Sequence, residues 1–372
     1  MLHKNSNLYY PFRFKKSRYC KPIWRILVIL LGFTAPVLAT TLARSIPDEL
    51  NSFLLKQIGL NKKEISSIPV GKTIVKALRT KRREEIAIFG IVEMNVPPEY
   101  FLQRFRNILE FESGNGILRN GVFSNPPQLS DVSNLTWEND DLEKIRKCSP
   151  KDCTARIPGG SVTLFHEKVD WSSDHAIQQA NDLMRRLVVE YVTNYQKIGD
   201  DALTEYYKDG DVLSVKEGSR QLLQNSPYLH HYFPELASYL RNYPNENNPK
   251  AEEIFYWQKA EFGLQPVIRL NHIVILHLEN SSHTNYVIAS KMLFANHYFR
   301  DGLEIRSIIP ALDDPASKSF YFLVLNRSHV DGMTGFKGWF IRDPVVDKSV
   351  EKLKAWLVKA KIQIENEYRK TQ

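Results

Sequence analysis

Two segments near the C-terminal end of this 372-residue chain are apolar on both strand parities, and this most narrows the folds open to it. Residues 286–299 read YVIASKMLFANHYF and residues 319–327 read SFYFLVLNR. Successive side chains of a strand point to opposite faces, so a sheet with one wet face alternates apolar with polar. These segments do not alternate, so their sheet needs cover on both faces. Strand 267–278 (VIRLNHIVILHL) has one parity, Ile268, Leu270, Val274, Leu276 and Leu278, that is apolar except for His272. Its other parity mixes Arg269, Asn271 and His277 with Ile273 and Ile275. Residues 303–309 continue the sheet, and 335–341 read as a further strand.

Amphipathic helices supply the cover. Residues 172–199 place Ile177, Ala180, Met184, Leu187, Val188, Tyr191, Val192, Tyr195 and Ile198 on one stripe, with Ser173 or Asp174 as cap and Gly199 as stop. A last helix over about 347–368 carries Val350, Leu353, Trp356, Leu357 and Ala360 on its face. The terminal helix covers one sheet face and the helices of 172–243 the other. Upstream, 47–58 read as a short helix, and 73–78 with 85–94 as a hairpin joined by the charged turn Arg79, Lys81, Arg82, Arg83. Pro97-Pro98 then open a helix whose apolar face is Phe101, Leu102, Phe105, Ile108 and Leu109. Residues 112–162 are loop-rich, with one short helix near 140–147. The chain is therefore α+β.

The N-terminus speaks to location. Residues 1–25 hold seven cations and no acid, and 26–39 (ILVILLGFTAPVLA) are uncharged and end on a small residue. A basic region, a short apolar core and a small residue read as a secretory signal; a membrane span needs about 20 apolar residues. An uncleaved anchor is the alternative. With residues 1–39 removed, the formal charge falls from +8 to about +1, which gives no support for nucleic-acid binding. An exported, periplasmic or secreted chain meets oxidising conditions, so Cys148 and Cys153, the two cysteines left after cleavage, are expected to form a local disulfide rather than a metal site. No stable membrane span is expected after cleavage.

Residues 86–108 (IAIFGIVEMNVPPEYFLQRFRNI) resemble the opening strand and helix of the START-like, or helix-grip, superfamily, and the strands and terminal helix of 267–368 resemble its remainder. The resemblance implies a curved antiparallel sheet gripping a long C-terminal helix around a cavity for a hydrophobic or lipid-like molecule. The long middle departs from that pattern and reads as a helical insertion covering the sheet. The resulting division is a signal at 1–39, core elements at 40–111, a loop-rich then helical insertion at 112–250, and the completing strands and helix at 251–372. FYWQKAEFG, FANHYFRDGLEI and LNRSHVDGMTG also resemble a family of secreted bacterial proteins, which adds no function.

The chain has no G-x-S-x-G elbow, no S-x-x-K set and no H-E-x-x-H, and no metal or cofactor is expected. The candidate chemistry is His272, His297, Tyr298, Arg327 and Asp331. His297 or His272 would act as base with Asp331 and Arg327 orienting or binding an anion, in a hydrolase or cyclase. As a binding site, His272, Tyr298, Arg327 and Trp257 would meet the ligand. Each has a structural alternative: a satisfied core histidine, an ion pair at a strand–turn junction, and an aromatic anchor docking the middle onto the sheet. A third possibility is an envelope scaffold or interaction protein with a filled core, marked by an exposed aromatic patch.

Overall fold

A computed structural model describes residues 46–372 apart from 115, 150–152, 154, 159, 161, 209–210, 247, 249, 264, 279–285 and 312–317; the candidate signal lies outside the described residues. Helices α1 (Asp48–Phe53) and α2 (Lys62–Ser67) precede the hairpin β1 (Ile74–Ala77) and β2 (Glu85–Met94). Next come α3 (Pro98–Arg106), α4 (Ile108–Phe111) and β3 (Ile117–Val122). The middle holds α5 (Asn139–Lys147), α6 (Thr163–Lys168), α7 (Ala176–Ile198), the small hairpin β4 (Glu205–Lys208) and β5 (Asp211–Ser214), α8 (Val215–Gln224), α9 (Pro227–Tyr232) and α10 (Pro234–Asn242). Strands β6 (Ala251–Phe262), β7 (Gln265–His277), β8 (Tyr286–Ala295), β9 (Phe299–Pro310) and β10 (Phe320–Val330) form a meander, and α11 (Gly335–Arg369) ends the chain.

Eight strands make one antiparallel sheet in the order β1-β2-β10-β9-β8-β7-β6-β3. The N-terminal hairpin thus docks beside the last strand of the C-terminal meander. Both edges are short, at four and six residues, and β3 carries a register shift, which limits edge-to-edge pairing.

Burial on both faces follows parity. Toward α11, Val92, Ile273, Ile275, Ile288, Ile308, Phe320 and Phe322 pack with Phe101 and Phe105 of α3 and with Leu357. On the opposite face two clusters form. Phe89, Ile91, Val274, Val287, Ile305 and Leu323 meet α1 and α8–α10, and Leu270, Phe255, Trp257 and Phe294 meet α7 and the loop-rich stretch. All ten residues of β2 are buried, as a central strand covered twice requires.

Three expectations change. Residues 335–341 are not a strand but the first turns of α11, which begins twelve residues earlier than the periodicity suggests. The reason is the turn: Gly332 and Gly335 adopt positive φ (73° and 70°), so the chain reverses out of β10 and enters a helix at once. Residues 286–299 are one strand and the start of another, because Asn296-His297-Tyr298 form a turn in which Tyr298 has φ 60°. Neither Ser173 nor Asp174 caps α7; His175 holds the N-cap position without a side-chain bond, while Gly199 ends the helix as expected. Cys148 and Cys153 are disulfide-bonded, with Cα atoms 4.7 Å apart. No helix among the described residues is long and apolar enough to cross a membrane.

Helix α11 crosses the sheet at Gly90, where a Cβ would lie 2.6 Å from Leu357 Cδ1 and 3.2 Å from Leu353 Cδ2. Leu357 is fully buried and has little room to yield. Gly90→Val is therefore expected to cost about 1–3 kcal/mol by overpacking, read as a lower midpoint in chemical denaturation, whereas Gly71→Ala, which meets no neighbour but carries φ 90°, tests backbone strain alone.

Candidate functional site

A cavity of about 260 Å³ lies between the sheet and α11. Its wall is built by strand pairing. Ser290 pairs with Ile273 and Glu304, Glu304 with Asn326, and Asn326 with Ile88, so one row of same-face side chains crosses five strands. The next row runs Asn271, Met292, Gly302, Ser328 and Ile86. Gln258 and Arg269 pair beyond it. A polar band thus crosses an otherwise apolar face, and Val345, Ser349, Lys352 and Leu353 of α11 lie over it.

The charges in the cavity divide into two groups. Arg306 is ion-paired: its guanidinium meets Glu112 at 2.9 Å and Glu304 at 2.6 Å and lies over the rings of Phe105 and Trp356 at 5.1 and 5.4 Å. Burial lowers its affinity for the proton, but the two carboxylates more than restore it and raise its pKa. Asn326 donates to the second Glu304 oxygen at 3.0 Å. The other group is open. Arg269 is half-buried, and its guanidinium donates to the Gln258 amide oxygen at 2.7 and 3.2 Å once that amide is oriented to accept. Lys352, at the exposed rim, lies 4.7 Å from the Phe262 ring. Neither cation has a carboxylate within ion-pairing distance among the described residues. Partial burial, then Lys348 and Arg269 nearby, push the Lys352 ammonium below its ordinary pKa. The Asn271 amide nitrogen is buried in the cavity wall with no hydrogen-bond acceptor. Arg269 and Lys352 thus offer positive charge without a carboxylate partner, and Asn271 offers a donor without an acceptor.

The candidates read from the sequence lie elsewhere. His272 points to the insertion face, stacked on Phe255 with ring centroids 4.3 Å apart and within 3.4 Å of the Tyr195 hydroxyl. Arg327, on the same face, bonds Glu85 through Nε at 2.7 Å and also through Nη2, and Glu85 is fully buried. Asp331 pairs with Arg156. His297 meets Asp141 at 2.8 Å, with Asn296 on the same carboxylate at 3.2 Å. Burial would raise the Asp141 pKa, but the bond and charge from His297, with Lys144, outweigh it and hold the carboxyl below its usual range. Trp257 is fully buried and its indole N–H donates to the Asp131 carbonyl at 2.8 Å. The Tyr298 hydroxyl accepts from the Gln265 amide at 2.9 Å, beside Phe262 of the cavity wall. None of these six lines the cavity, and the structure does not gather them into one site.

The residues that do line it had a signal in the sequence. Arg269 and Asn271 interrupt one parity of β7, as Glu304 and Arg306 do in β9 and Asn326 and Ser328 in β10. His272 stood out because its own parity was otherwise apolar, but that parity is the one packed against the insertion. Among the described residues no cluster of histidine, cysteine and carboxylate side chains could hold a metal ion. No family model, curated protein or solved structure matches the chain.

Two outcomes follow for the insertion face. Removing one partner of a buried ion pair leaves an uncompensated charge, so Glu85→Ala is expected to cost about 3–5 kcal/mol in an equilibrium unfolding experiment. Burial lowers the His272 pKa below its ordinary 6.5, with Glu253 and Asp200 only partly opposing it. The unfolded chain then binds the proton first, so this contribution to stability is present above about pH 6.5 and is lost as pH falls toward the folded value. A denaturation midpoint followed from pH 7 downward should fall less steeply in His272→Gln than in wild type.

Proposed function

We propose that this protein is an exported binding protein for a small amphipathic molecule carrying an acidic group, held in a helix-grip cavity between the sheet and α11. The observation that carries this reading is the pair of cations without a carboxylate partner, Arg269 and Lys352, beside the unsatisfied Asn271 amide, in a cavity whose apolar wall includes Ile86, Ile88, Phe262, Met292, Phe299 and Leu353 and whose carboxylates, Glu112 and Glu304, are engaged by Arg306. Ligand sites are largely apolar with a few convergent polar groups, and buried polar groups are normally paired. An acid placed between Arg269 and Lys352 would answer both cations and accept from Asn271. The volume limits the ligand. At about 260 Å³ the cavity is smaller than the roughly 300–1,000 Å³ of sites for drug-sized molecules, which favours a compact ring system or short chain over a diacyl lipid. Export is supported by the basic and apolar N-terminal sequence and by the Cys148–Cys153 disulfide, a bond that persists in oxidising compartments.

Two fluorescent probes with the same rings and different charge test the reading: anilinonaphthalene sulfonate, an anion, and N-phenylnaphthylamine, which is neutral. Both are expected to bind one site per chain. Arg269→Met should weaken the sulfonate by about tenfold, equivalent to about 1.4 kcal/mol, and leave the neutral probe unchanged. Equal effects on both probes, or none on either, would remove the acidic-group assignment.

A further inference from the structure

We propose that the first turns of α11 and the turn joining β1 to β2 together form a docking surface for the headgroup layer of an anionic membrane. The inference is independent of what the cavity holds. Phe336, Trp339, Phe340 and Ile341 are 81%, 63%, 57% and 46% exposed, large values for apolar side chains gathered in two helical turns. The rings contact one another edge to face, Phe336 with Phe340 at 5.3 Å and Trp339 with Phe340 at 5.0 Å, so they form one patch. Isolated exposed apolar residues need no explanation, but a contiguous aromatic patch does.

The patch has a charged border. Arg79, Lys81, Arg82 and Arg83 are all exposed in the adjoining turn, and a groove runs between them and Trp339, Phe340 and Arg342. Arg342 fixes the two segments together: Nε donates to the Arg83 carbonyl at 3.1 Å, and Nη2 to the Thr80 hydroxyl at 3.1 Å. Of the cations, Arg82 is paired with Glu84 at 2.5 Å, and Arg342 lies 3.8 Å from the exposed Asp343. Arg79, Lys81 and Arg83 have no carboxylate partner among the described residues. The surface therefore presents protruding aromatic rings beside unpaired cations. This is the chemistry of a helix lying in a bilayer interface, with rings at the headgroup level and Lys or Arg drawn to anionic lipid. A membrane suits it better than a protein partner because a fluid headgroup layer accepts protruding rings without a preformed pocket. The next turns of α11, at Val345, Ser349 and Lys352, border the cavity.

The test uses the full chain on vesicles of brominated phosphatidylcholine with or without phosphatidylglycerol. The chain holds six tryptophans, so the quenching owed to Trp339 is the difference between wild type and Trp339→Phe. The expected result is a Trp339 component quenched on anionic vesicles and not on neutral ones. The triple change Arg79→Glu, Lys81→Glu, Arg83→Glu should weaken anionic-vesicle binding by at least about tenfold. All the changed side chains are exposed, and unaltered melting midpoints would verify that both variants are folded. Bound protein whose Trp339 stays unquenched is attached through another segment and overturns the proposal. Equal quenching on neutral vesicles also overturns it. So does an oligomer in solution that Trp339→Asp dissociates, because the patch is then an interface between copies of this chain.

Discussion

The constraint on which the rest of this molecule depends is that an eight-stranded sheet must bury both of its faces. Strand β2 carries the burden most plainly: Phe89 and Ile91 enter the core under α1 and α8–α10, while Val92 enters the core under α3 and α11. Gly90 between them has no side chain because Leu353 and Leu357 occupy that space. Neither face can be solvated without exposing a core, so the helical insertion and the terminal helix are equally parts of one fold. The same requirement explains why the N-terminal hairpin closes onto β10 rather than standing alone, since a lone two-stranded hairpin is marginal in water.

Charge is handled differently on the two faces, and the proposed binding site rests on that difference. Under the insertion, buried charges are paired: Glu85 with Arg327, Lys291 with Asp200, and His329 with Asp301 at 2.6 Å, which Arg300 also meets at 2.8 Å. Removing charges from water is costly, and such pairs offset that cost locally. Under α11, among the described residues, Arg306 is the buried cation treated in this way. Arg269, Asn271 and Lys352 keep donors in reserve where the helix does not close fully onto the sheet.

Most elements of the fold were legible because periodicity reports burial. The stripe from Ile177 to Tyr195 and the double-sided strands predicted which elements form and that both sheet faces are covered. The misses have separate causes. GFKGWFI reads as a strand, yet Phe336 and Trp339 are exposed and two glycine turns launch a helix there. Strand β3 lies in the stretch read as loop-rich and exists because β6 offers it a pairing edge, and the β4–β5 hairpin interrupts the stretch 172–243 read as helices.

The sequence by itself determined the class of secondary structure, the need for two-sided cover and a disulfide within reach of its own turn, because each depends on residues close together along the chain. It also placed Arg269 and Asn271 on one strand face. Only the tertiary structure decided which face that was. Parity says that two residues share a side, but the side is named by what packs there, and α11 comes from residues far along the chain. For the same reason His272, alone on an apolar parity, became a core residue stacked on Phe255, while the mixed parity opposite it became the wall of the cavity.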